Sequence, residues 1–353
     1  MENNEVKRMK SIQYWGPGDI RLEDVSIKPL QEGEVLVKVE SALTCGTDVK
    51  TFRRGHPVLI KEIPSGFGHE FAGVVAQLGK NVEGFEVGDR VVAANSAPCG
   101  ECFYCKHEEY NLCENLHLLN GAYAQYITVP ARIVKKNMLH LDENLSFDKA
   151  AFCEPLANVV HGAERTDIKP GQTVGIIGIG PIGLMFARVA KLKGAKVIAA
   201  GRNPIKLKLA EEFAGADEVI DLKKYPNPEK IFRSFTEEQK GLDIAVECVG
   251  LPEIWERMFS CVRPGGTVHF FGGCKSGSTV TFDTTKMHYS DIKLMSVFHH
   301  TPKYFRKALE LITSGQIEVE KLITETISLK DVEYAMNQHI EGKAIKFLVK
   351  PWQ

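Results

Sequence analysis

The sequence predicts an α/β protein of two domains, one β-rich and full of turns, the other a doubly wound parallel sheet. Three observations carry this. At 353 residues the chain exceeds one ordinary domain of roughly 100–200 residues. Its first ~150 residues alternate apolar and polar positions in short runs punctuated by Gly and Pro. After Pro170 the texture changes to apolar runs separated by helical segments, the βαβ rhythm of a parallel sheet with helices on both faces.

Taken in order, "EVLVKVE" (Glu34 to Glu40) alternates as a half-buried strand should, and "FAGVVAQLG" and "DRVVAAN" are short apolar runs bounded by Gly or Asp. Helical periods are scarce in this part. Six strand-like runs follow Pro170: "TVGIIGIG", "AKVIAAG", "DEVIDL", "LDIAVECVG", "GTVHFFGG" and "IKLMSVF". The tail opens a helix at "TPKYFRKALELITSG", with Thr301 and Pro302 as N-cap and N1 and Gly315 as stop. A second helix start is the S-x-x-D of Ser328 to Asp331.

Composition excludes several classes of function. Charged residues are 25%, hydrophobic ones 44% and net charge is −1, so nothing favours nucleic acid or another polyanion. The N-terminus lacks an apolar signal region and no run reaches the ~18 apolar residues of a membrane span, so the expectation is a cytoplasmic protein. In that reducing setting a tight cysteine cluster holds metal more readily than disulfides.

Cys99, Cys102, Cys105 and Cys113 form C-x2-C-x2-C-x7-C, with Gly100 permitting a tight turn beside the first thiol. Four soft ligands in one loop suit tetrahedral zinc with no position left for substrate. An iron–sulfur cluster or four unrelated thiols are the alternatives. Gly178, Gly180 and Gly183 form G-x-G-x-x-G between an apolar strand and a helical run. The first permits the turn, the second lets backbone approach a pyrophosphate and the third lets helix pack on strand. Pro181 and Ile182 open the helix. Dinucleotide binding is expected there, against a ligand-free glycine turn. Separated in sequence, "TCGTDVK", "GHEFAG" and "FCEPLANVVHG" offer Cys45, His69 and Glu154 as S, N and O donors, a set that could assemble an open zinc site.

Together, in this order, these motifs make the chain resemble the zinc-dependent medium-chain dehydrogenase/reductase family, within it the sorbitol, threonine and related secondary-alcohol dehydrogenases. The resemblance spans essentially the whole chain. It implies a GroES-like catalytic domain over residues 1–157 carrying a structural zinc lobe at 95–115, a Rossmann NAD(P)-binding domain over 158–295, and a return to the catalytic domain over 296–353. It implies two zinc ions per chain, one structural on the four cysteines and one catalytic, an active site in the interdomain cleft, and a homo-oligomer, dimer or tetramer. Cys45 and His69 match catalytic zinc ligands. Glu70 is a ligand or a neighbour of one, and Glu154 binds zinc directly or through its water. Thr47 matches the hydroxyl that takes the alcohol proton, and Asp48 the carboxylate that orients a ligating His. Two positions depart from the pattern. Cys153, beside Glu154, offers a third ligand one residue away. Lys50 stands where many relatives carry a relay His, and a lysine ordinarily stays protonated near neutrality.

The chemistry implied is hydride transfer between a nicotinamide and a secondary alcohol, a polyol, cyclitol or sugar derivative, with zinc as Lewis acid. His299 and His300 either face the substrate or serve structure. Where an NAD enzyme usually carries Asp or Glu, this chain has Gly201, followed by Arg202, Asn203 and Lys206. That absence of negative charge beside a guanidinium fork predicts NADP(H) over NAD(H). The rival of another class, a non-catalytic nucleotide-binding protein, should have lost a metal ligand or the relay hydroxyl, and both are present.

Overall fold

The computed structural model describes residues 7–56 and 59–353. They fall into two compact units, the described residues up to Ala157 together with His300–Gln353, and Asn158–His299. Among the described residues no helix is long and apolar enough to cross a membrane.

The first unit is built on a seven-stranded sheet. Its path runs Met138–His140, Arg90–Ala93, Glu70–Leu78, Val35–Leu43, Lys346–Val349 and Ile323–Ile327, and Tyr126–Val129 also pairs with Val35–Leu43. The inward residues Val35, Val37, Val39, Phe71 and Val75 are buried in one apolar cluster with Phe347 and Val349. Two pairings position chemistry. Leu43 faces Glu70 in antiparallel register, so the loop after Leu43 lies beside His69. The C-terminal strand pairs Leu348 with Leu43, which brings Lys346 to the same place. The helix Pro302–Thr313 begins after Thr301 as N-cap, and Ser328 with Asp331 forms a capping box ahead of the helix Val332–Ile340. Both starts match the sequence signals.

The second unit is a six-stranded parallel sheet. All six apolar runs become strands, in the order Glu218–Asp221, Lys196–Gly201, Thr173–Ile177, Leu242–Glu247, Val262–Phe270 and Lys293–Ser296. The order reverses between Thr173–Ile177 and Leu242–Glu247. Ligands of open parallel sheets bind outside the carboxyl ends of the strands at such a reversal, and Gly178 follows the first of these two strands directly.

Candidate active site

Helix Gly46–Arg54, which the sequence pattern did not foresee, starts at the metal candidates. Cys45 is its N-cap: its Sγ accepts from Thr47 N–H at 3.4 Å, and its own N–H donates to Asp48 Oδ2 at 3.0 Å. This capping box fixes the thiol at the N-terminus of the helix; burial, and after it the Glu70 charge, push the Cys45 thiol up, against the pull of His69 and Lys346. Donor atoms of Cys45, His69 and Glu70 all lie within 4.8 Å of one another, with His69 and Glu70 buried.

Each member has a partner holding it. His69 Nδ1 is 3.1 Å from Asp48 Oδ1. Burial alone would push the Asp48 carboxyl up, but the His69 charge and bonds from His69, Tyr123 and Cys45 N–H hold it below its ordinary value. Burial pulls His69 down, yet Asp48 and Cys45 together carry it well above the ordinary imidazole range. Lys346 Nζ, fully buried, bonds Glu70 Oε2 and donates to Thr44 O at 2.7 Å. Burial pushes the Glu70 carboxyl up to about 7 against the pull of Lys346, and the nearby Glu154 charge adds to the rise. Lys346 stays protonated, its ammonium held up by Glu70 and Cys45 despite burial. Glu70 Oε1 is buried with no hydrogen-bond partner among the described residues. An orphaned carboxylate oxygen, a thiol and an imidazole nitrogen converging with an S, N, O donor set fit a zinc ion.

Of the remaining expected residues, Thr47 is half-buried and its hydroxyl has no partner among the described residues, while Lys50, one turn on, is exposed. Glu154 is buried in the first turn of helix Cys153–Arg165, its Oε1 3.8 Å from His300 Nε2. It lies outside the Cys45–His69–Glu70 group. Cys153 is turned away: its thiol donates to Phe305 O at 3.2 Å in the core. His300 is buried against Asn95 Oδ1 at 3.1 Å, a bond spacing gave no hint of. The carbonyl of His299 pairs with His161 Nδ1 at 2.6 Å.

The sulfurs of Cys99, Cys102, Cys105 and Cys113 also lie within 4.8 Å of one another. The Cys99–Cys105 and Cys102–Cys113 separations are 3.8 and 4.0 Å, far beyond an S–S bond of about 2.05 Å. A tetrahedron with Zn–S bonds of about 2.3 Å has edges of about 3.8 Å, so the cage fits zinc. Gly100, at φ +91°, makes the turn. The N–H groups of Glu101 and Cys102 donate to Cys99 Sγ at 3.5 and 3.4 Å and pull that thiol down to about 6.

In the parallel sheet each fingerprint glycine has its own reason. Gly178 has φ +94°, and a Cβ there would lie 2.7 Å from Val249 Cγ2. A Cβ on Gly183 would lie 2.2 Å from Gly178 O, whereas Gly180 faces open space. Pro181 is N1 of helix Pro181–Leu192, and Ile182 sits half-exposed beside it. At the end of strand Lys196–Gly201, Arg202 is exposed with no ion-pair partner among the described residues. Burial lowers the Lys206 ammonium. Asn203 is an N-cap: its Oδ1 accepts from Ile205 and Lys206 N–H at 2.9 and 3.3 Å. The acid in register with Gly201, Asp221, accepts from Lys223 N–H at 2.9 Å.

The alcohol dehydrogenase GroES-like domain model matches residues 31–138, and the zinc-binding dehydrogenase model residues 181–314. Sorbitol dehydrogenase of Bacillus subtilis is 30% identical over 99% of both chains. D-arabinitol dehydrogenase 1 of Uromyces fabae is 30% identical over 98% of this chain and 97% of its own. Among solved structures, a Sinorhizobium meliloti protein described as a zinc-binding dehydrogenase and crystallised with NADP superposes with TM-score 0.89. It is 31% identical over 98% of this chain and 99% of its own. The chain therefore belongs to the zinc-dependent medium-chain dehydrogenase/reductase family, in its sorbitol dehydrogenase-like branch, and is an enzyme of that class.

Proposed function

We propose that this enzyme moves a hydride between a polyol, or a cyclitol or sugar-derived secondary alcohol, and NADP(H), using two zinc ions per chain. The observation that carries the reading is the convergence of Cys45, His69 and Glu70 beside the Thr47 hydroxyl, which has no partner among the described residues. Cys45, His69 and Glu70 would hold the catalytic ion, with Glu154 alongside to meet its charge or its water; the four-cysteine cage would hold the other. The bound ion would supply Lewis-acid stabilisation of negative charge on the substrate oxygen. Asp48 keeps the His69 ring oriented through Nδ1. Thr47 Oγ1 accepts the alcohol proton in oxidation as its own hydroxyl proton passes outward to water, the relay running in reverse in reduction, and Lys50, exposed one helical turn away, marks the side on which that water lies. The names of the similar enzymes, a sorbitol and an arabinitol dehydrogenase, support a polyol.

NADP(H) is favoured because Arg202 and Lys206, which have no acidic partners among the described residues, stand where the adenosine ribose is read, and Gly201 presents no carboxylate to repel a 2′-phosphate. The test is a dehydrogenase screen of polyols, inositols, threonine and simple alcohols with both nucleotides. The expected result is polyol turnover with higher kcat/KM for NADP(H). Arg202→Ala should lower kcat/KM for NADP(H) by roughly 10–100-fold, the worth of a charge-assisted bond, and leave NAD(H) nearly unchanged. A wild-type preference for NAD(H) refutes the nucleotide assignment.

Thr47→Val should cost ~10²-fold or more in kcat while zinc stays bound, and Thr47→Ser should be mild. Unchanged turnover in the Val variant, with a primary deuterium isotope effect showing that hydride transfer limits, would place the proton's exit elsewhere.

The site also predicts a pH dependence. Glu70 is raised from 4.5 to about 7 and His69 lies above its ordinary value. Their contributions to the stability of the metal-free protein are therefore complete below the unfolded values and are lost as pH rises through the folded ones. Zinc needs both groups deprotonated, so its affinity should climb as pH rises through about 7, where Glu70 titrates, and further as the raised His69 loses its proton. Urea denaturation of metal-free wild type against Glu70→Gln, with zinc titrations at each pH, reads both slopes; flat profiles would contradict the raised groups.

A further inference from the structure

The hydrogen-bond chain behind His69 does not stop at Asp48. Tyr123 is fully buried, and its hydroxyl lies 2.5 Å from Asp48 Oδ2 and 3.1 Å from Leu43 O. One phenolic proton serves one acceptor well, and the nearer, ionised oxygen is the stronger. The backbone delivers the ring there. Gly121 and Ala122 donate N–H bonds to Gly68 O at 2.7 and 2.9 Å, and Tyr123 N–H donates to Phe67 O at 2.9 Å. Gly68 itself has φ +87°, and a Cβ on it would lie 2.7 Å from Tyr123 Cδ1. Glycine before His69 is thus what lets the tyrosine ring lie against the segment carrying that histidine. Oδ2 of Asp48 receives two donors, Tyr123 O–H and Cys45 N–H, which leaves Oδ1 for His69 Nδ1.

We propose that Tyr123 is a positioning residue of the metal site: its hydroxyl pins one oxygen of Asp48, so that the other fixes the His69 ring and leaves Nε2 as the nitrogen for zinc. The inference rests on the zinc reading above. Without the hydroxyl, Oδ2 keeps only the longer bond from Cys45 N–H at 3.0 Å, so the carboxylate is held less firmly and the imidazole it orients samples poses that do not meet Cys45 and Glu70. Partners of this kind are worth about 10–100-fold in metal affinity.

The experiment is zinc affinity by competition with a chromogenic chelator, followed for the ion that His69→Ala eliminates. Tyr123→Phe removes only the hydroxyl. It should weaken that ion about 10-fold or more, leave the four-cysteine ion in place and leave NADP(H) binding, read by fluorescence, unchanged. In an Asp48→Asn background the same change should shrink to about twofold or less, because the hydroxyl acts through that carboxylate. Unchanged zinc affinity in Tyr123→Phe overturns the inference, as does a full-sized loss that persists in Asp48→Asn. A wild-type chain with no ion that His69→Ala removes overturns the zinc reading itself, and this inference with it.

Discussion

Replacing His69 by Ala is expected to lower turnover by more than ~10³-fold, since a bound metal is worth several kcal/mol of charge stabilisation in such a reaction. The chain should stay folded, because the ring's partner Asp48 keeps its bonds to Cys45 N–H and Tyr123. Metal analysis should fall from two zinc ions per chain to one. Cys102→Ser should do the reverse, removing the other ion and lowering thermal stability ahead of activity, since the four-cysteine cage has no open position for substrate. An active enzyme with a single zinc that survives His69→Ala and is lost with Cys102→Ser would defeat the two-site reading.

The second large effect is expected at Lys346. At pH 8, Lys346→Met leaves the Glu70 carboxylate buried without its cation, and breaking a buried pair from one side costs up to roughly 3–5 kcal/mol, less as the carboxyl takes up a proton. The urea midpoint of the metal-free protein should fall accordingly. Zinc should narrow the gap, because a cation then meets the Glu70 charge, and Lys346→Met combined with Glu70→Leu should recover most of the loss by removing both charges. A Lys346→Met protein as stable as wild type without metal would mean that Glu70 is already neutral in the fold. Denaturation at pH 5 and pH 8 separates that outcome from a simple exchange of partners.

What could be read from the sequence, and what could not, follows from distance along the chain. The central parallel strands were legible because each is buried on both faces and reads as one apolar run, as "TVGII" and "LDIAVE" do. The cysteine cage and the glycine fingerprint are local, so spacing carries them. The helix Gly46–Arg54 was not legible: its N-cap is Cys45, outside the usual Ser, Thr, Asp and Asn set, and "GTDVKTFRR" carries no clear apolar stripe. Tyr123 reaches Asp48 across 75 positions and Lys346 reaches Glu70 across 276, and no periodicity encodes such pairings. A faint sign existed for the second, a lysine inside the strand-like run "AIKFLV", since a buried ammonium demands a partner. Glu70 and Glu154 both read as candidate oxygen donors; only the register of Leu43 with Glu70 brings the first into one group with Cys45 and His69.

Gly201 constrains how nucleotide choice could change in descendants of this protein. A Cβ there would lie 2.4 Å from Ile179 Cγ1 and 2.5 Å from its Cδ1. Ile179 is buried and, being β-branched, cannot swing its Cγ1 aside without leaving its preferred rotamer. A carboxylate at position 201, the simplest single route to an NAD-reading strand end, therefore arrives with a clash. Lineages that acquire it need a smaller or displaced side chain at position 179 as well, and shrinking Ile179 by itself only opens a void. Either change made alone is unfavourable, so the NADP(H) preference proposed above would resist conversion by a single point mutation.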